Sequence, residues 1–477
     1  MLFNSIPFLI FLPTVFFLYW FVFKNQLQKQ NILLLISSYV FYGWWDYRFL
    51  ALILASTLVD YLVGIALAKQ ENKNTRKHLL WLSLFFNLGL LGFFKYFNFF
   101  IDSWVDAWQH FGITMHASTL NIILPVGISF YTFQTLSYTI DVYRKKMVPT
   151  RNFIEFATYV AFFPQLVAGP IERAAQLLPQ FKIKKYFDYK LAKEGVYLII
   201  WGLFQKMVIA DSCATYTNAI FDNYQNLNSL SLMMGAVYFA FQIYGDFAGY
   251  SNIAIGTAKL FGFNLMRNFN YPYFSRDIAE FWRRWHISLS TWFRDYLYIP
   301  IGGSKGSKGQ QIRNVFVIFL VSGFWHGANW TFVVWGGLHA IFFLPLLLMN
   351  KNRKHLAAIN LQKSFPGIRE FFQMLLTFML TSFAWIFFRS ASITESFLYI
   401  KRLFLNLNFK SEYLNIERYS IEMLGIIGVF VLMEWFNRDK ECPIYGRFSY
   451  LKMIVIVFLI LTLGVYSEHQ NFIYFQF

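Results

Sequence analysis

The chain has 477 residues, 57% of them hydrophobic, 22% aromatic and only 14% charged. A soluble domain carries about 25% charged residues, so this composition excludes a string of water-soluble domains and points to a polytopic membrane protein. The net charge of +17 is no sign of nucleic-acid binding, because the basic residues are dispersed over short loops and not gathered on one soluble face.

A spanning helix takes about 20 mostly apolar residues. The opening MLFNSIPFLIFLPTVFFLYWFVFK lacks a basic n-region and an A-x-A site, and reads as a retained first helix, not a signal peptide. Apolar stretches then fall near 5–23, 31–46, 48–68, 79–101, 121–141, 191–210, 230–255, 314–347, 370–388, 420–435 and 453–467. The stretch 314–347 is too long for one pass and suits two short or broken ones. About eleven or twelve crossings follow, in an all-α, multi-pass architecture that reads as one membrane-embedded domain over 1–477. Segments 153–170 and 275–300 are amphipathic or interrupted by Pro and charge. They read as re-entrant or interfacial pieces, tolerated at membrane depth only where protein or a cavity covers them.

Lysine and arginine placement sets orientation. Lys69, Lys73, Arg76 and Lys77 fill one loop, Arg144, Lys145, Lys146 and Arg151 another, and five lysines a third at 182–193. By contrast, 102–120 and 211–229 hold neither Lys nor Arg. This alternation puts the N-terminus outside, the basic loops in the cytoplasm and the C-terminus outside, with 314–347 entering and returning. The stretch 389–419, with Arg389, Lys401, Arg402, Lys410 and Arg418, breaks the pattern unless 397–407 (FLYIKRLFLNL) is an interfacial helix. The basic mouth is topological, or else it also attracts an anionic substrate. GGSKGSKGQ (302–310) lacks the spacing of a phosphate loop, and no internal repeat is evident. Cys213 and Cys442 allow at most one bridge.

Ionisable groups inside a bilayer are costly, which makes each a functional candidate. His326, in LVSGFWHGANWTFVVWGGLHA, lies thirteen residues of helix, about 20 Å, from Arg313. Gly323 and Gly327 flank it and admit another helix or a substrate, and Asn329 offers an amide one turn on. A neutral imidazole there accepts a hydroxyl proton or packs through a hydrogen bond to a neighbouring helix; position alone leaves both open. His286 sits in SRDIAEFWRRWHISLSTWFRDYLYIP, too charged to face lipid. Within it, Arg283 and Arg284 bind a phosphate or anchor the segment, anchoring being the commoner role. His339 reads as structural. Gln205 and Lys206 interrupt one span, and Asp246 another, where it orients a histidine or pairs with a cation. No His pair has i, i+4 spacing, so no metal is assigned, and no classical hydrolase or nucleotide-binding signature is present.

The runs FPQLVAGPIER, QIYGDFAGYSNIAIGTAKLFGF, NFNYPYFSRDIAEFWRRWHISLSTWFRDYLYIPIGG and SGFWHGANWTFVVWGGLHA together resemble the membrane-bound O-acyltransferases. The resemblance extends over most of the chain and is narrowest to the bacterial branch of alginate and peptidoglycan O-acetyltransferases and teichoic acid D-alanyl transferases. It implies a ring of helices around a thin centre with a tunnel, a family-like core at about 121–347, C-terminal helices at 370–467 and an outer tail at 468–477. It makes His326 the active-site residue and His286 the second functional histidine, with Trp325, Asn329, Asp246, Arg283 and Arg284 supporting the tunnel. It also implies acetyl-CoA as acyl donor with no bound cofactor, the bacterial inner membrane, an extracytoplasmic partner protein and a polysaccharide acceptor. Similar C-terminal motifs are associated with acyl relay, which makes Tyr474 in NFIYFQF an expected acyl carrier; an aromatic tail packed at the interface is the alternative. Rival functions are a D-alanyl transferase, a flippase for a lipid-linked saccharide and a non-catalytic scaffold. A flippase predicts a structural repeat.

Overall fold

The computed structural model describes residues 1–115, 117, 119–167, 169–356, 364–408, 420–466 and 472–473, with backbone alone at 420–422. Tyr474 lies outside the described residues, as do His116, Lys410, Arg418 and His469. Among the described residues every regular element is a helix and no strand occurs. In a bilayer this is forced, because a helix satisfies its own backbone groups where no water can. Five helical stretches, 27–69, 73–110, 189–222, 330–348 and 368–389, are long and apolar enough to cross a membrane, and shorter apolar helices lie at 6–22, 423–436 and 449–463. The all-α, multi-pass expectation holds. The chain folds as two compact units.

The first unit comprises Met1–Gly195 and Ala254–Met266. It holds α1 (Ile6–Phe17), α2 (Leu27–Asp46), α3 (Leu50–Lys69), α4 (Lys73–Leu91), α5 (Phe97–His110), α6 (Ile128–Tyr143), α7 (Phe153–Ala161), α8 (Phe163–Leu166), α9 (Ala174–Leu177) and the start of α10 (Tyr189–Phe204). The helix expected from residue 121 begins only at Ile128, because Pro125 withholds a backbone donor and Gly127 turns the chain at φ 75°. The segment 153–170 forms two short helices broken at Phe162 and buried in protein, as an interrupted piece at membrane depth must be. Asp60, which hydropathy alone passes over, ties α3, α4 and α6 together. Its carboxylate accepts from Ser83, from Asn87 Nδ2 at 2.8 Å and from Thr139 Oγ1 at 2.8 Å.

The second unit comprises Val196–Ile253 and Arg267–Phe477. It holds the rest of α10, a π-turn at Gln205–Ala210, α11 (Asp211–Asp222) and most of α12 (Ser229–Leu260). It continues through α13 (Ile278–Arg284), α14 (Ile287–Phe293), α15 (Lys308–His326), α16 (Trp330–Leu348), α17 (Ile368–Arg389), α18 (Ile393–Leu405), α19 (Ser420–Phe436) and α20 (Ser449–Leu463). The long stretch 314–347 is divided between the two helices of a hairpin, α15 and α16. A Cβ on Gly323 would meet the Phe332 carbonyl at 2.2 Å, and one on Gly336 the Phe319 carbonyl at 2.3 Å. The small residues therefore admit the partner helix of the hairpin and not a substrate. The basic stretch after 389 does contain a separate helix, α18, exposing Phe397, Leu398, Phe404 and Leu405.

Candidate functional site

His326 is the last residue of α15. A capping box between Ser307 and Gln310 starts that helix, and Gly327 ends it in an extended conformation. Asn329 then caps α16, its Oδ1 accepting the Thr331 N–H at 3.0 Å while its Nδ2 donates to the Ala391 carbonyl at 2.8 Å. Both ends of the Asn329 amide are thus engaged in structure, and the residue locks the turn that follows His326.

His286 is the corner between α13 and α14, with φ 42° and ψ 56°. A non-glycine residue in the left-handed region is held there against a local cost of about 1–3 kcal/mol. Asn268 holds the corner: its carbonyl accepts from Ile287 N at 2.8 Å, and its Oδ1 from Ser288 Oγ at 2.9 Å. Forty residues apart in sequence, the two imidazoles meet in the interior with ring centroids 6.3 Å apart. Trp325 stands at the third corner of a triangle with them, 5.1 Å from His326 and 6.1 Å from His286. Trp335 and Phe388 close on His326 at 5.1 and 5.5 Å, and Phe247 on His286 at 4.6 Å. His286 is fully buried and His326 is 3% exposed. The two imidazoles thus sit buried among aromatic rings, tilted 51° to one another. His339 stands apart from that pair, since its Nδ1 accepts from Trp282 Nε1 at 3.2 Å.

Two cavities lie toward opposite ends of α15. The larger, about 440 Å³, runs along the helix past Val315, Phe319 and Ser322, the last of these one turn before His326. Arg283, Arg294 and Arg353 also line it. The other, about 330 Å³, is lined by Asp222, Gln225, Arg389, Ala391 and Glu395. It sits beside the turn that Asn329 locks, and Arg389 adjoins the Phe388 ring that covers His326.

The remaining predicted residues are engaged in other contacts. Arg283 donates to the carbonyls of Asn352 and His355 at 3.1 and 3.0 Å, and Arg284 to Glu280 Oε1 at 2.8 Å. Their polar groups go largely to anchoring α13. In the loop beside them, burial and the neighbouring Arg276 lower the His355 imidazole below its ordinary pKa, with Asp277 opposing. Asp246 does not orient a histidine among the described contacts. It pairs with Lys206 at 2.8 Å, and Lys206 pairs with Asp211 at 2.7 Å. Sequence reasoning passed over Glu434, which accepts from Tyr244 Oη at 2.8 Å inside the same unit; the signal was a lone acid in an otherwise apolar span. Among the described residues no group of three or more His, Cys, Asp or Glu is placed to hold a metal.

Comparison with known proteins bears on this chamber. The model of the membrane-bound O-acyltransferase family matches residues 148–390, which include both histidines and the hairpin. The chain is 41% identical over 396 residues to the probable alginate O-acetylase AlgI of Pseudomonas aeruginosa, covering 82% of this chain and 73% of that one. It is 35% identical over 438 residues to the peptidoglycan O-acetyltransferase of Helicobacter pylori, covering 86% and 80%. A shorter match, 30% over 259 residues, joins half of this chain to 63% of the teichoic acid D-alanyltransferase of Bacillus subtilis. A family match across the hairpin and both histidines, together with two long relatives, establishes that the chain belongs to the membrane-bound O-acyltransferase family and is an O-acyltransferase.

Proposed function

We propose that this enzyme takes acetyl groups from cytosolic acetyl-CoA and passes them across a bacterial inner membrane toward a polysaccharide hydroxyl outside, through a partner enzyme. The observation that carries this reading is the pairing of His286 and His326 in a buried chamber, with a cavity reaching along α15 to within one helical turn of His326. That cavity joins apolar walls to arginines, which suits a donor with phosphates at one end and an acyl thioester at the other. Acetyl is favoured over D-alanyl because the relatives named for acetyl transfer match more of the chain at higher identity.

In this mechanism His326 is the general base. It takes the proton of the incoming hydroxyl as that oxygen adds to the thioester carbonyl. The C–S bond then breaks, and the proton returns to the departing thiolate. His286 or the Trp325 N–H steadies the oxyanion, in a site dry enough to make such interactions strong. Tyr474 is the first acceptor, its phenol becoming an acetyl ester that a partner outside removes onto the polymer. The acceptor polymer is of the alginate or peptidoglycan class, by similarity to the relatives so named.

The test is incubation of the protein in lipid nanodiscs with isotopically labelled acetyl-CoA, followed by peptide mass spectrometry. Label on Tyr474 is the expected result. A folded sample that leaves acetyl-CoA intact, with or without acceptor polymer and candidate partner, overturns the reading. The donor cavity has its own check. Arg294 and Arg353 line it and bond to the side chains of Asp295 and Ser304, whereas Arg283 is tied to the loop carbonyls of Asn352 and His355. Replacing both with Ala should raise the KM for acetyl-CoA about tenfold, the worth of one good charge-assisted contact, and change kcat little. An unchanged KM would place the donor elsewhere.

A further inference from the structure

One wall of the donor cavity is held in place by a buried hydrogen bond. On α13, Ala279, Trp282 and Arg283 fall at i, i+3 and i+4 and line the cavity from one helix face. The Trp282 indole packs edge-on against Phe319 of α15 at 5.3 Å and against Trp335 of α16 at 5.7 Å. Trp335 in turn stands 5.1 Å from the His326 ring. The indole N–H donates to His339 Nδ1 at 3.2 Å. His339 is fully buried, and its ring lies parallel to that of Phe281, the residue before Trp282, with the planes 4° apart. Among the described residues its Nε2 has no hydrogen-bond partner.

This hydrogen bond runs in one direction only. An indole N–H donates and cannot accept, so the His339 nitrogen it meets carries no proton. Among the described contacts, the hydrogen bonding of this buried imidazole goes wholly to holding the indole. Swinging Trp282 aside would leave its N–H unpaired in apolar surroundings, a penalty of about tenfold or more in the equilibrium. A ring so restrained does not yield when a ligand presses on it. The consequence falls on the acyl end of the donor. Phe319 and Ser322 line the cavity one turn apart, and Ser322 comes one turn before His326. Past Ser322, the rings of Trp325, Trp335 and Phe388 crowd the imidazole. Carbons beyond the acetyl methyl must therefore pack along the wall that Trp282 and Phe319 form.

We infer that Trp282 is a specificity-determining residue that restricts the cavity to short acyl thioesters, and that His339 is the positioning residue that locks it. This rests on the donor-cavity reading above. A rigid apolar pocket discriminates about tenfold to two-hundredfold over a single methylene. The restraint on the indole is of that same order, so one hydrogen bond is enough to set the preference.

The experiment uses the full chain in nanodiscs and follows thiol release from acetyl-, propionyl-, butyryl- and hexanoyl-CoA, with a size-exclusion profile for every variant. The quantity read is the ratio of kcat/KM for butyryl-CoA to that for acetyl-CoA. Wild type should favour acetyl-CoA by at least about a hundredfold, the effect of two methylenes. Trp282→Ala should raise the ratio at least about tenfold. His339→Leu keeps much of the volume but removes the acceptor, and it should move the ratio the same way. His339→Asn, whose Oδ1 can accept from the indole, should hold the ratio near the wild-type value. Trp282→Phe keeps a ring and removes the N–H; it should also raise the ratio, and it decides the matter where the alanine form does not fold. A purely structural role would lower the rates for all four thioesters in proportion and leave the ratio unmoved, which overturns the inference. A wild type that uses butyryl-CoA as well as acetyl-CoA overturns it too. A shift in Trp282→Ala with none in His339→Leu overturns the positioning role of His339. If wild type releases thiol from none of the four, with or without acceptor polymer and candidate partner, the donor reading falls and the inference with it. Unmoved ratios in an active enzyme overturn the inference alone.

Discussion

His326→Ala should lower acyl transfer by at least about 10²–10⁴-fold, the usual contribution of a positioned general base, while the protein still folds. The expectation comes from where the ring sits. His326 ends α15 with Trp325, Trp335 and Phe388 around it, and its backbone is fixed by the Gly327 break and the Asn329 cap, neither of which needs the imidazole. Truncation therefore removes the base and leaves the hairpin. His326→Gln is the companion variant, keeping volume and hydrogen-bonding ability without a basic nitrogen, and it should be as inactive as the alanine form. Thiol release from acetyl-CoA in nanodiscs, beside a size-exclusion profile for each protein, decides it. Wild-type turnover in a monodisperse His326→Gln sample would assign the base to another residue, and His286 would be the first to examine.

Lys206→Met is expected to cost the second unit about 3–5 kcal/mol, the penalty for breaking a buried ion cluster from one side. The lysine is 1% exposed in its side chain and lies between two carboxylates, one on α11 and one on α12. Its loss leaves Asp211 and Asp246 buried without their cation. The triple change Lys206→Met, Asp211→Asn, Asp246→Asn should recover most of the loss, because no uncompensated charge remains. Unfolding midpoints of the three proteins in one detergent give the comparison. A Lys206→Met protein as stable as wild type would show that water reaches the cluster. A triple variant as unstable as the single one would show that the charges themselves are needed.

Much of the candidate site was legible because some of its signals are local. An ionisable residue inside an apolar run marks itself by composition, and His326, His286, Lys206 and Asp246 were all visible that way. Their partners were not. Asp246 reads equally as the orienter of a histidine or the mate of a cation until the π-turn Gln205–Ala210 packs against α12, and then Lys206 occupies it. Gly323 reads as room for a helix or for a substrate until α16 fills that room. Asn329 looks like a free amide near the histidine until the α16 cap and the Ala391 carbonyl engage it. Asp60 and Glu434 were passed over because one acid barely lowers the hydropathy of a long apolar window, though each organises a buried polar network.

The sequence by itself determined the membrane class, the all-helical architecture, the hairpin at 314–347 and the identity of the histidine-bearing segments. These follow from composition and from runs of neighbouring residues, which a bilayer converts directly into helices because each helix satisfies its own backbone. Only the tertiary structure decided which polar groups meet: His286 with His326 across forty residues, Lys206 with both aspartates, and the Ile473 N–H with Asp246 across 227 residues. Inside an apolar interior each of these groups must find a partner, and many pairings satisfy that demand equally well along the chain. Side-chain packing between helices distant in sequence selects among them, and no local pattern records the choice.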